Sequence, residues 1–312
     1  MTELAPLIND INTDFKTKYV TTIGDGMSAT LEGRISSSFN AGAAGIRWAR
    51  IATGNDIFYA TLEGNVALPV DGTPFGEWRH TGVSFDLNKV RLLPPVIPPT
   101  FYACGINYTG HAHACSAEFN RPLDSFLPSR PQIGYRAQSA IIAAGETIVL
   151  PADAPANIQC EGELAVVIGK PARHVRARDA LDFVLGYTIG NDVSIRDWQF
   201  TDRTFWRSKN SDTFKPLGPW IVTGLDVADM TTRVSVNGKV TEQFATANML
   251  FSVADYIEAI TEYITLQPGD VIIMGTDGHS PRIAHGDTIE IAIEGIGALS
   301  NPVVRAEPVN RR

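Results

Sequence analysis

The 312-residue sequence predicts a β-rich α+β protein, and three observations carry that reading. Short alternating apolar runs recur, split by Gly, Asn and Asp. A single segment has convincing helical spacing. No regular strand–helix alternation suggests a doubly wound sheet. With 44% hydrophobic and 19% charged residues the chain has enough apolar surface for a sizeable core, which excludes a disordered or fibrous protein.

Residues 1–45 are polar and Gly/Ser-rich (ISSSFNAGAAG) and read as a loosely ordered arm with one helix around Ile11–Val20. From Ile46 the runs IRWARIA, DIFYATLEG and NVALPV read as hairpins of a small N-terminal β domain, 46–92. The stretch LLPPVIPPT, 92–100, carries four prolines, which suit neither a ladder nor a helix interior. It is expected to be a connector leading into a larger body over 93–312. There FYACGIN, AIIAAGETIVLP, ELAVVIGK, FVLGYTIGND, WIVTG and TRVSVNGKVTEQF read as strands, with Asn237-Gly238 as a hairpin turn that tolerates positive φ. The segment FSVADYIEAITEYITL predicts a helix from the spacing of Val253, Ile257, Ile260 and Ile264, capped by Ser252. LQPGDVIIMGTDG and GDTIEIAIEGIGAL read as two closing strands.

With 26 Lys and Arg against 34 Asp and Glu the net charge is −8, and no basic run is present to displace counterions, so nucleic acid is excluded as a partner. The opening MTELAPLINDINTDF carries acids where a secretion signal needs a basic lead, and no run nears the ~20 apolar residues of a membrane span. A cytoplasmic protein with no membrane partner is expected. Cys104, Cys115 and Cys160 lack CxxC spacing and read as reduced thiols. Phosphate-loop, GxSxG and HExxH signatures are absent.

The informative segment is Cys160-Glu161-Gly162-Glu163-Leu164-Ala165-Val166-Val167. Residues two apart on a strand share a face, which sets Glu161 beside Glu163 and in line with Ala165 and Val167. If that face is covered, two adjacent carboxylates call for a cation; if it is open, they are a solvated strand end. Asp192, ending the apolar run 183–190, adds a third acid, although an Asp there also suits a turn. Three carboxylates without a Cys or His cluster would select a hard ion, Mg2+ first, with Mn2+ or Ca2+ as alternatives.

These segments, taken in order, carry a resemblance. Gly105-Ile106-Asn107-Tyr108 with His111, EGELAVVIGK (161–170), GYTIGNDVSIRDWQ (186–199), SKNSDTFKPLGPWIVT (208–223), VNGKVTEQ (236–243), LQPGDVIIMGT (266–276) and EGIGALSNPV (294–303) resemble the fumarylacetoacetate hydrolase family over about residues 95–303. The resemblance implies a mixed β-sandwich roll with a small N-terminal β domain, usually a homodimer. It assigns Glu161, Glu163 and Asp192 to Mg2+ or Mn2+, Lys209 and His111 to catalysis, and Arg136, Gln199, Thr276 and Tyr108 to the substrate. Each considered alone has a plainer reading, Lys209 as a surface lysine, Thr276 as a turn former and the histidines as idle loop residues.

The implied activity is metal-dependent hydrolysis of a C–C bond in an acylpyruvate-type 1,3-dioxo acid, in aromatic-compound breakdown. The alternatives are 2-oxo acid decarboxylation or enol–keto isomerisation, and beyond these a non-catalytic binding protein. Family members commonly place a Glu three residues after the catalytic His, whereas Ala114 stands here and Glu118 is the next acid. Either the pair is broken here or Glu118 takes the place of that Glu through a longer loop and orients His111, with His113 as a second proton carrier. Asp277 and His279 stand where the family usually has Pro after the Thr, and Cys115 neighbours the histidine segment.

Overall fold

The computed structural model describes residues 45–308, so the arm read over 1–45 and its helix lie outside the described residues, Gly45 excepted. The strands Arg47–Thr53, Asp56–Glu63 and Val66–Gly72 form successive antiparallel hairpins. The first of them also pairs with the strand Lys215–Val222, Trp48 lying opposite Ile221. The N-terminal hairpins therefore extend a thirteen-stranded sheet, whose middle runs from Lys215–Val222 through Val184–Asn191 and Gly162–Ile168 to Val271–Ile273 and Phe101–Cys104.

A second sheet of five strands orders Ile148–Leu150, Gly297–Arg305, Thr288–Ile293, Thr231–Val236 and Lys239–Ala245. Leu164, Val166 and Ile168 share a core with Val234, Ile289, Ile291 and Ile293 of that sheet. Ala165 and Val167, on the opposite face, pack with Trp48, Leu217, Ile221 and Ile273. The Gly162–Ile168 strand is thus buried on both faces, which is why its sequence is an almost unbroken apolar run.

Three α-helices interrupt the strands of the described residues: α1 (Thr109–Phe119), α2 (Arg196–Gln199) and α3 (Val253–Tyr263). The last is the predicted helix, and Ser252 caps it in a reciprocal pair with Asp255, while Ile264 falls just past its end and is exposed. The histidine segment, read as a loop, is α1. Two boundaries also move. Arg91–Leu93 pairs with Arg50–Ala52 before the prolines end the ladder. GDTIEIAIEGIGAL contains the whole of the strand Thr288–Ile293 and the start of Gly297–Arg305, because Gly295, at φ 74°, takes the positive-φ turn between them. No helix among the described residues is long and apolar enough to cross a membrane.

Candidate active site

Glu161 and Glu163 flank Gly162 at the start of the central strand, and both are buried, at 4% and 3% exposure. Gly162 is required between them. A Cβ there would stand 2.8 Å from Val234 Cγ2 and 2.9 Å from Ile291 Cγ2, so only glycine lets the two sheets close at this point. The glutamates consequently turn away from the inter-sheet core. Asp192 follows the neighbouring antiparallel strand, where Gly162 pairs with Asn191, and its amide donates to the Glu161 carbonyl at 2.9 Å. One carboxylate oxygen from each of the three acids lies within 4.8 Å of the others.

Cations surround this cluster. Arg136 donates two bonds to Asp192, Nε to Oδ1 at 2.8 Å and Nη2 to Oδ2 at 2.7 Å. Lys209 bridges the acids, its Nζ 2.7 Å from both Glu161 Oε2 and Asp192 Oδ2. Arg196 donates to Glu161 Oε1 and, through Nε, to Gln159 at 2.6 Å. Lys215, fully buried, places Nζ 2.7 Å from Asp192 Oδ1 and also donates to the Val193 and Phe214 carbonyls. Burial pulls its ammonium down to about 8, against the attraction of Asp192.

The three acids consequently differ. Burial opposes ionisation of all of them, but Arg196 and Lys209 hold Glu161 well below the usual carboxylate range, and Arg136, Lys209 and Lys215 do the same for Asp192. Glu163 accepts from the Gly275 amide and has no ion-pair partner among the described residues. Burial, with the Asp192 and Glu161 charges beside it, pushes its carboxyl up to about 8.

His111 reaches the cluster from α1. Its Nδ1 lies 3.0 Å from the Gly278 carbonyl, which only accepts, so Nδ1 carries the proton and Nε2 is left with its lone pair. That Nε2 stands 3.5 Å from Glu161 Oε1 and 3.5 Å from Cys115 Sγ. Burial lowers the imidazole pKa more than Glu161 raises it, which keeps the ring neutral and able to take a proton. The helix start is fixed from outside. Tyr108 supplies no side-chain cap, and Asp277 Oδ1 accepts from the His111 amide at 3.0 Å and from the Gly278 amide at 2.9 Å.

A cavity of about 610 Å³ opens over the acids. It brings together eight of the residues expected from the sequence: His111, Arg136, Glu161, Glu163, Asp192, Gln199, Lys209 and Thr276. Two others stand elsewhere. Tyr108 is 1% exposed in the main core, its ring 5.3 Å from that of Phe244, and does not line the cavity. Glu118 lies seven residues beyond His111, on the exposed side of α1, and accepts from Asn157 at 2.9 Å and Gln159 at 3.1 Å. It does not orient His111; the Gly278 carbonyl does. His113 is likewise exposed.

Sequence reasoning missed Arg196 and Lys215 as partners of the acids and Asp277 as the anchor of α1. Arg196 sits in the block NDVSIRDWQ, where a basic residue two positions after Ser194 was the available signal. Lys215, between Phe214 and Pro216 in an apolar strand, was a visible anomaly, because a lysine is almost never fully buried without a partner.

A divalent cation fits these residues. Among the described residues Glu163 is a buried carboxylate without an ion-pair partner, in a cluster of oxygen donors free of Cys ligands, and a hard ion would supply the missing charge.

Residues 100–304 match the family model for the fumarylacetoacetate (FAA) hydrolase C-terminal domain, and residues 46–95 match the model Rv2993c-like, N-terminal. The chain belongs to the fumarylacetoacetate hydrolase family. It is 42% identical over 270 residues to protein Rv2993c of Mycobacterium tuberculosis, covering 83% of this chain and 98% of that one. To human mitochondrial oxaloacetate tautomerase FAHD2A it is 36% identical, over 70% of each. Among solved structures, 2-hydroxyhepta-2,4-diene-1,7-dioate isomerase from Mycobacterium marinum superposes with a TM-score of 0.76 at 41% identity, over 84% of this chain and all of that one. Maleylpyruvate hydrolase from Sphingobium sp. SYK-6 in complex with manganese(II) and pyruvate gives 0.67 at 26% identity, over 84% of this chain and all of that one. The relatives named for an activity are thus enzymes of several reaction types, one of them solved with a divalent metal.

Proposed function

We propose that this protein is a divalent-metal-dependent enzyme that interconverts enol and keto forms of a small 2-oxo-carboxylate, working as a homodimer. The observation that carries the choice of reaction is the surroundings of His111. Among the described residues the hydrogen-bond partner of its Nδ1 is the Gly278 backbone carbonyl and not a carboxylate, and Glu118 is engaged elsewhere, so the ring is oriented by a neutral acceptor and not by an anion bonded to Nδ1 that would stabilise a long-lived imidazolium. Moving one proton on and off a carbon needs less of the base than activating a water for attack on a carbonyl.

Glu161, Glu163 and Asp192 would hold Mg2+ or Mn2+, which supplies Lewis-acid polarisation of the 2-oxo group. Arg196, Gln199 and Thr276 line the cavity beside the acids and would orient the substrate carboxylate. Lys209 places a positive charge where enolate oxygen charge develops, and its two carboxylate contacts fix the ammonium in advance. His111 Nε2 takes the substrate proton. Protonation turns two facing acceptors, Nε2 and Glu161 Oε1, into a charge-assisted pair, and that pair returns the proton to the other end of the enol system.

A second reading, C–C bond hydrolysis of an acylpyruvate, is favoured by the same neutral Nε2 standing over the acid cluster, where it would deprotonate a water. One assay separates the two. Protein stripped with EDTA and then restored with Mg2+ or Mn2+ is given enol-oxaloacetate and a panel of acylpyruvates, enol absorbance is followed, and products are identified. Metal-dependent loss of enol without cleavage is expected. Two carboxylic-acid products would install the second reading, and no metal-dependent change with either class would overturn both.

A further inference from the structure

We propose that Arg203 is the specificity residue of this cavity and selects 2-oxo acids that carry a second negative charge at the end remote from the oxo group. The proposal rests on the 2-oxo acid reading above.

The cationic side chains deep in the cavity are all committed to acids: Arg136 to Asp192, Arg196 to Glu161, and Lys209 to both. Arg203 also lines the cavity, yet makes no hydrogen bond or ion pair among the described residues. Its placement is fixed without using its guanidinium. The preceding Asp202 is 4% exposed and accepts from the Ser208 amide at 2.8 Å and from Arg207 Nη2 at 3.0 Å, which pins the turn between α2 and Lys209. Arg207 in turn lies over the Trp198 ring at 4.2 Å. Arg203 is therefore an exposed cation that lines a cavity holding a buried acid cluster, with no hydrogen-bond or ion-pair partner among the described residues.

The same cavity is lined by aromatic side chains, Phe119, Phe126, Phe200, Phe205 and Tyr135. Phe119 and Phe200 pack edge to face at 4.5 Å. Such walls suit a short carbon chain with polar groups at its two ends only. A guanidinium beside them recognises a carboxylate with two parallel bonds, and the low polarity of the walls strengthens that contact. A chain ending in a methyl group would gain nothing from Arg203, so discrimination arises from one residue.

A matched pair of ligands tests this: 2-oxoadipate and 2-oxohexanoate have the same carbon chain and differ in a terminal carboxylate against a methyl group. Binding of each to the full-length protein is measured by calorimetry with Mg2+ present, for wild type, Arg203→Gln and Arg203→Lys. Wild type is expected to prefer 2-oxoadipate by about tenfold or more, the scale of one charged hydrogen-bonded contact. Arg203→Gln should lose that preference with affinity for 2-oxohexanoate unchanged, and Arg203→Lys should retain part of it. The side chain makes no hydrogen bond or ion pair among the described residues, so melting temperatures should match wild type. Equal binding of the two acids by wild type, or a preference that survives in Arg203→Gln, overturns the assignment of Arg203 while leaving the 2-oxo acid site intact. If neither acid binds, the 2-oxo acid reading itself fails and the proposal falls with it.

Discussion

Glu163 is the residue on which the metal reading turns, because it is the acid of the cluster that makes no ion pair among the described residues. Its carboxyl, pushed from the ordinary 4.5 to about 8, is protonated in the metal-free protein at neutral pH. The unfolded chain has lost that proton already, so the folded state binds one proton more between those two values, and metal-free stability must fall as pH rises through that window. The size of the effect is on the order of a few kcal/mol. In EDTA-treated protein the melting temperature should therefore drop from pH 5.5 to 8.5, and the drop should be shallower in Glu163→Gln, which keeps a neutral side chain throughout. The same variant should lose Mn2+ binding in a calorimetric titration, while wild type releases a proton on binding at pH 7. Parallel melting slopes, or an undiminished Mn2+ titration, would remove Glu163 from the centre.

At the scale of elements, α1 shows how a helix with little apolar pattern is positioned for chemistry. Its sequence, TGHAHACSAEF, lacks the spacing that made α3 legible, and its buried face is built from His111, Ala112, Ala114 and Cys115. Small side chains give no strong period, so the segment looks like a loop until the Asp277 carboxylate, 166 residues away from His111, is seen holding its first turn. Glu161 and Glu163 were legible for the opposite reason, since their shared face follows from local alternation alone, as Ala165 and Val167 on that face bear out. Arg196, the partner of Glu161, and Lys215, the partner of Asp192, were not, because pairing between segments distant in sequence leaves no local pattern. Gly110 tests the α1 arrangement. A Cβ at this position would stand 2.4 Å from Asp277 Oδ1, so Gly110→Ala must displace the carboxylate that anchors the helix start and the Gly278 turn facing His111. Alanine favours a helix interior by about 1 kcal/mol, which offsets part of the lost anchoring. The expected outcome is a melting temperature near that of wild type, unchanged Mn2+ binding and a kcat reduced by about tenfold or more, the cost of misplacing a proton-transfer group. A variant with full kcat would show that the Asp277 contact does not set the ring.

For the whole molecule, the boundary between the two family matches, 95 to 100, coincides with the proline stretch that marked a connector, yet the hydrogen bonding runs straight across it. Arg47–Thr53 pairs with Lys215–Val222, whose first residue holds Asp192, and Ala49, Ile51, Ala60 and Leu62 belong to the same core as the strand that carries Glu163. Prolines break local structure, but they say nothing about which strand lies beside which, and that is why the sequence suggests a separable unit where the structure has a continuous sheet. A chain beginning at residue 93 would lose Trp48, 2% exposed against Ile221, and leave the Lys215–Val222 strand with an unpaired edge. Losing one buried Trp costs about 3–5 kcal/mol, against a total stability of about 5–15 kcal/mol for a typical protein. The truncated chain is therefore expected to aggregate or remain unfolded, and the intact protein to unfold in a single transition that coincides by far-ultraviolet circular dichroism and tryptophan fluorescence. A soluble chain from residue 93 that melts cooperatively and still binds Mn2+ would mean that the hairpins dock onto a body already complete. Coincident transitions in the intact protein would instead mean that the strand supporting Asp192 depends on the N-terminal hairpins for its place.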